Sequence, residues 1–204
     1  NDIAVLEEAL EDTPSSRNYY NLGMTQQSRH AYGEAITAYA KAIELSNWDE
    51  EIYLAHLSMG LCQHYSSRRL DAIQSFGKAT EVIPHRAEAF YYLAEQFFHE
   101  GDFSVARILL EKASSMKFPA SELSLVDTDV YNWKIPDVLS LCLYENAEYE
   151  TAYKIIRKAL NSPKTDRLDP ANRRRLEENF ALFKRMMKVP KKHRLTSKQR
   201  REKD

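Results

Sequence analysis

Apolar and small residues return along this chain at a period of about 34, the mark of a repeat architecture. Leu22-Gly23, Ala35, Tyr39 and Ala42 recur as Met59-Gly60, Ala72, Phe76 and Ala79, closing with Pro84. They recur again as Leu93-Ala94, Ala106, Leu110 and Ala113, and as Leu139-Ser140, Ala152, Ile156 and Ala159. In every copy the small residue stands at the same distance from the first alanine. The spacing predicts two antiparallel helices per unit, with Gly23, Gly60, Ala94 or Ser140 letting the second helix approach the first. The hairpin turn reads Gly101-Asp102-Phe103 in the third unit, with Tyr32 and Tyr149 matching Phe103, and His30 and Ala147 standing where Gly101 does. Helix starts are expected at Asp49, an N-cap with Trp48 stapled onto Tyr53, and stops at Pro14, Pro84, Pro119 and Pro163.

This arrangement resembles the tetratricopeptide repeat over most of the chain, and the resemblance implies an all-α solenoid of about four helix pairs with an end helix on each side. The expected organisation is a capping helix in residues 1–13, four units in 14–163, a capping helix in 164–189 and a basic tail in 190–204. Ile3, Leu6 and Leu10 form the inward stripe of the first cap, and Leu176, Phe180 and Phe183 that of the last, which opens on Asp169-Pro170. Two departures from regular spacing stand out. Three extra residues, Ser46-Asn47-Trp48, separate the first two units, and about a dozen lie near 117–132, enough to cover part of a groove.

Charge adds a polarity that the net value of -1 hides. Residues 1–163 carry 14 Lys and Arg against 24 Asp and Glu, whereas residues 164–204 carry 15 against 6. Residues 184–204 hold no aromatic side chain for base stacking, so the expected partners of the tail are anionic polymers, bound weakly and without sequence preference, and no specific nucleic acid. After Pro190 the chain has one leucine and no periodicity, and reads as disordered or as a lone basic helix whose removal leaves stability unchanged. A mean hydropathy of -0.58 argues against a membrane span. The five glycines are scattered singly, so no glycine-rich nucleotide loop is present. Two cysteines set far apart suggest a reducing, cytoplasmic location.

No residues assemble into a recognisable catalytic setting, and neither a cofactor nor a metal is expected. Asp127-Thr128-Asp129 is an acidic pair of the kind that can hold a divalent cation, but it lies in a loop of a helical stack, where a helix cap at Asp129 explains it better. The six histidines form no ligand pair. Cys62 and Cys142 share one repeat position, which favours buried, inert thiols. Trp48 and Trp133 fall near helix starts and read as packing residues.

The repeat register places Tyr20, Asn21 and Met24, then Leu57, Leu61 and His64, then Tyr91, Tyr92, Glu95 and Phe98, then Lys134, Asp137 and Leu141 on the groove side of the first helices. That surface is aromatic and apolar. It suits a protein or peptide segment held by hydrophobic anchors, Leu61, Tyr91, Tyr92 and Phe98 foremost. Tetratricopeptide domains that clamp the carboxylate tail of chaperones resemble one another in Lys, Asn and Arg at set places. Here those places read Tyr20, Met24, Ser58, Glu88 and Tyr92, so that partner is not expected.

Further segments carry a narrower resemblance. Asp2 to Leu10, Trp48 to Tyr53, Arg86 to Ala89, Val126-Asp127 with Val130 to Lys134 and Asp137, and Arg175 to Asn179 resemble the helical region that follows the catalytic domain in a group of family 2 glycosyltransferases. The resemblance implies a non-catalytic module that recruits substrate or assembles such an enzyme, with the sugar-nucleotide chemistry in a domain upstream. The alternative is a stand-alone scaffold or adaptor.

Overall fold

The computed structural model describes residues 8, 10, 13–119, 125–196, 198 and 199, and every regular element among them is helical. The N-terminal capping helix expected from Ile3, Leu6 and Leu10 lies almost wholly outside the described residues. Nine α-helices follow among those described: α1 Ser16–Ser28, α2 Tyr32–Leu45, α3 Asp49–Tyr65, α4 Arg69–Val82, α5 Ala87–His99, α6 Phe103–Ser114, α7 Ile135–Glu145, α8 Tyr149–Leu160 and α9 Pro170–Met186. A π-helical turn, Val130–Lys134, leads into α7. The chain divides into two compact units, with the boundary inside α5 after Leu93; the first unit also takes in Pro119 and Leu125.

Each helix pair closes by the same device. His30, Ser67, Gly101 and Ala147 all have a left-handed backbone, at φ of 60°, 60°, 80° and 63°. Around them the amides of Ala31, Arg68, Asp102 and Glu148 donate five residues back to the carbonyls of Gln26, Gln63, Phe97 and Leu143, at 2.8 to 2.9 Å. This is a Schellman closure, which satisfies carbonyls that a helix end would otherwise orphan. Three of the four turns carry a side chain in a region that costs it about 1 kcal/mol, so tertiary packing holds them there.

In the first unit the core forms where the second helix of a pair meets the small residue of the first. Tyr39, Phe76, Ala35, Ala72, Ala42 and Ala79 are all fully buried. A Cβ added to Gly23 would lie 2.7 Å from Tyr39 Cε1, and one added to Gly60 2.5 Å from Phe76 Cε1. A buried ion cluster closes this unit: Arg86 bonds Glu50, Glu88 and the Leu125 carbonyl, with its guanidinium 4.5 Å over the Tyr53 ring.

The N-cap at Asp49 is displaced by one residue. Trp48 is the cap, Asp49 is the first helical residue, and no side chain caps this end. The Trp48 indole is 55% exposed, while Tyr53 is buried among Leu57, Phe76 and Ala89. Ser15, Asp102 and Asp169 do cap α1, α6 and α9 through their side chains.

In the second unit, α9 packs its Leu176 and Phe183 inward, and Phe180 stacks on Tyr153 at 4.9 Å. The same helix covers the place where Asp137 was expected to line a groove. Asp137 is fully buried, accepting from Asn179 Nδ2 at 2.7 Å and pairing with Arg175 at 2.7 Å. Burial raises its carboxyl above the ordinary value, and Arg175 and Asn179 offset part of that rise.

The residues after Pro190 correct the reading of a free tail. Lys191–His193 form a 3-10 turn, and the Arg194 side chain is 8% exposed. Its guanidinium donates to the carbonyls of Met187 and Val189 and to Glu150 Oε2 at 2.6 Å, and lies 5.3 Å from the Tyr149 ring centroid. The bond from Arg194 holds the Glu150 carboxyl below its ordinary value. One guanidinium thus satisfies the end of α9 and ties it to α8. Arg194→Ala is expected to lower stability by about 1 to 2 kcal/mol, where a free tail would give no change. Thermal melts of the variant and of the parent chain measure it.

Candidate functional site

A cavity of about 610 Å³ opens in the first unit, and both irregular stretches of the repeat contribute to it. Arg17, Tyr20, Asn21 and Met24 come from α1, Glu51 and Leu54 from α3, Trp48 from the three-residue insertion, and Leu125 from the long one. Tyr20, Asn21 and Met24 were expected on this face from the repeat register. Arg17, Trp48, Glu51, Leu54 and Leu125 were not, because spacing within a repeat says nothing of where an inserted residue falls.

The walls are mostly apolar, with a few polar groups set among them. Met24 is 40% exposed, and Trp48 and Leu125 are more exposed still, so the cavity has an accessible hydrophobic mouth. Tyr20 is largely buried and tilts against Tyr39 at 5.6 Å, and burial pushes its phenol above the ordinary value. At the floor lies Glu51, only 6% exposed. Its Oε2 accepts from Ser16 Oγ at 2.5 Å and from Ser46 Oγ at 2.7 Å. The inserted Ser46 is therefore what fixes this carboxylate, and it also accepts from the Trp48 amide at 3.3 Å.

The remaining sequence-predicted groove residues do not line this cavity. Leu57 and Tyr91 are buried and do not line this cavity; Tyr91, at 4% exposure, packs in the interior. The reason is local, since α5 turns Tyr91 inward along with Ala89 and Phe90, while Tyr92 stacks on Phe76 at 5.7 Å. Leu61 packs half-buried against the core, and His64 sits edge-on to Tyr65 at 5.4 Å. In the second unit Glu95 and Phe98 are partly exposed, and Phe98 meets Phe103 edge-on at 5.4 Å.

A second cavity, of about 480 Å³, lies in the second unit between the ends of α6, α7 and α8, with Met116, Tyr131, Ile135 and Leu139 against Lys158 and Lys164. The repeat register did not anticipate it.

The acidic pair Asp127 and Asp129 has a structural explanation, with the roles reversed from expectation. Asp127 Oδ1 accepts from the Asp129 amide at 3.1 Å and its Oδ2 holds Lys134 at 2.7 Å. Asp129 itself makes no side-chain cap bond. Among the described residues no group of His, Cys, Asp and Glu side chains is placed to hold a metal ion. Cys62 and Cys142 are buried, and burial pushes their thiols up to about 11 and about 12, so both stay protonated and unreactive at neutral pH.

Repeated helix pairs, one Schellman turn in each, and small residues under Tyr39 and Phe76 decide the architecture. The fold is the tetratricopeptide repeat. Among solved structures, MamA superposes at a TM-score of 0.63, with 20% identity over 78% of this chain and 84% of its own. YrrB, a repeat protein with an unusual peptide-binding site, gives 0.61 at 15% identity over 90% and 93%. The repeat protein TTC0263 of Thermus thermophilus gives 0.59 at 15% identity over 88% and 89%. No family model matches the chain, and no curated protein does so either. No helix among the described residues is long and apolar enough to cross a membrane.

Proposed function

We propose that this chain is a non-catalytic repeat module that binds a peptide segment of a partner protein and works as a scaffold or adaptor. The carrying observation is the cavity of about 610 Å³ in the first unit, whose mouth exposes Met24, Trp48 and Leu125. Exposed apolar side chains around a concavity with a few fixed polar groups suit a peptide anchored by one or two side chains. The peptide-binding site of YrrB, on a similar fold, supports the same reading. A recruiting role beside a glycosyltransferase is a narrower form of it, resting on the resemblance of Trp48 to Tyr53, Arg86 to Ala89 and Val130 to Lys134.

The test is a selection of nonapeptides from a random library on the immobilised chain, followed by affinity measurement on Met24→Glu and Leu125→Glu. Both residues are exposed, so the variants fold as the parent does. Selected peptides should bind each variant at least tenfold more weakly, because a charge at the mouth opposes burial of an apolar anchor. Undiminished binding to both would move the site elsewhere and end this proposal.

A further inference from the structure

Burying a carboxylate costs several kcal/mol unless a cation or enough donors compensate it. The first unit shows how this chain meets that rule elsewhere: Glu88, fully buried, is paired with Arg86. Glu51 does not follow it. Among the described residues its carboxylate has no cation within ion-pair distance, and its compensation is two hydroxyls on one oxygen, Oε2. Its other oxygen, Oε1, takes no hydrogen bond from the described residues, and the side chain lines the cavity. A carboxylate oxygen with both lone pairs unfilled at the floor of an open cavity is a receptor for a donor from outside.

We infer that the cavity of the first unit receives a lysine or arginine side chain of a partner peptide, with its cationic head on Glu51 Oε1. The reading rests on the peptide-binding function proposed above and adds the chemistry of the anchor. Several features agree on it. The walls supply an apolar stem contact at Met24, Leu54 and Leu125, and the Trp48 and Tyr20 rings, whose faces attract cations. Ser16 and Ser46 hold the carboxylate in one orientation before the ligand arrives, which lowers the ordering cost of binding. Residues 1–163 carry ten more acidic than basic side chains, a field that draws a basic segment in. Among the described residues Arg17 is the one cation on the lining, and it is exposed, so water and salt screen it far more than they screen the buried Glu51.

The three-residue insertion explains why this anchor sits in the first unit. Ser46 and Trp48 exist only because of it, and without Ser46 the Glu51 carboxylate would lose half of its donors. The chemistry thus arises where the repeat is irregular.

The experiment uses the same nonapeptide selection, on the whole chain and on Glu51→Gln, which keeps acceptors for Ser16 and Ser46 and removes the charge. On the parent chain the selected peptides should share one fixed Lys or Arg. Replacing that residue by norleucine in a synthetic peptide should weaken binding roughly tenfold to a hundredfold, the range of a charge-assisted hydrogen bond. Glu51→Gln should lose the preference and bind the norleucine and lysine peptides alike. Because the norleucine arm leaves the protein untouched, it decides the matter even if the variant folds poorly. Peptides that need Met24 but share no basic position would overturn the anchor and leave the peptide-binding function standing. No selected peptide at all would sink that function itself. Self-association of the chain abolished by Glu51→Gln would reassign the cavity to the basic C-terminal segment of a second copy, against the partner peptide proposed.

Discussion

Gly60→Leu is expected to destabilise the protein by about 3 kcal/mol or more, lowering Tm by roughly 10 °C as read by thermal melts. The glycine lies against a fully buried ring, and even a Cβ there would stand 2.5 Å from Phe76 Cε1. Phe76 has no space to retreat, since Tyr53, Leu57, Ala79 and Ile83 enclose it. Helices α3 and α4 must therefore separate, at the cost of contacts along their whole length. The other units suggest the remedy. Where the second helix carries a ring, at Tyr39 and Phe76, the first carries glycine; where it carries Leu110 or Ile156, the first tolerates Ala94 or Ser140. Gly60→Ala alone should cost about 1 to 2 kcal/mol, and Gly60→Ala with Phe76→Leu should regain part of that loss, because the pair then matches the third unit. An additive double variant would show that the ring and the glycine are not coupled.

Arg86→Ala should cost about 3 to 5 kcal/mol, the range for stripping one partner from a buried ion cluster. Arg86 and Glu88 are both fully buried and Glu50 is partly so, and the guanidinium also bonds the Leu125 carbonyl of the long insertion. Its removal leaves two carboxylates facing each other in a low dielectric and releases the bond that ties Leu125 to this cluster. Arg86→Met with Glu88→Leu should recover part of the loss, since Glu88 then no longer stays buried without its cation, while Glu50 still lacks one but reaches solvent. Denaturant melts of the two variants and the parent provide the comparison. A single Arg86→Ala variant as stable as the parent would mean that water reaches this cluster freely.

Several of the polar contacts described above lie in segments singled out in the sequence, Arg86 to Ala89, Val126-Asp127 with Val130 to Lys134, Asp137, and Arg175 to Asn179. Arg86 and Glu88, Asp127 and Lys134, and Asp137 with Arg175 and Asn179 all fall within them. These residue types thus have a packing explanation.

Repeat number, helix pairing and the small-to-large contacts between paired helices were legible in the amino-acid sequence, because a helix pair packs through residues at constant spacing and spacing is a property of the chain itself. The hairpin turns were legible for the same reason, down to His30 and Ala147 standing in for Gly101. The exposure of single groove residues was not. Tyr91 and Tyr92 are adjacent, and only the rotation of α5 against its neighbours decides that the first is interior and the second stacks on Phe76. Asp137 reads as a groove residue until α9 lies over it, and Arg194 reads as tail until α8 and Glu150 receive it. Glu51 shows the limit most clearly. Its neighbours Ser16, Ser46 and Leu125 are separated from it by up to 74 positions, and nothing in their order along the chain says that they meet. Local periodicity determines which helices form and how each pair closes. Long-range burial alone decides which charges are compensated and which are left facing a cavity.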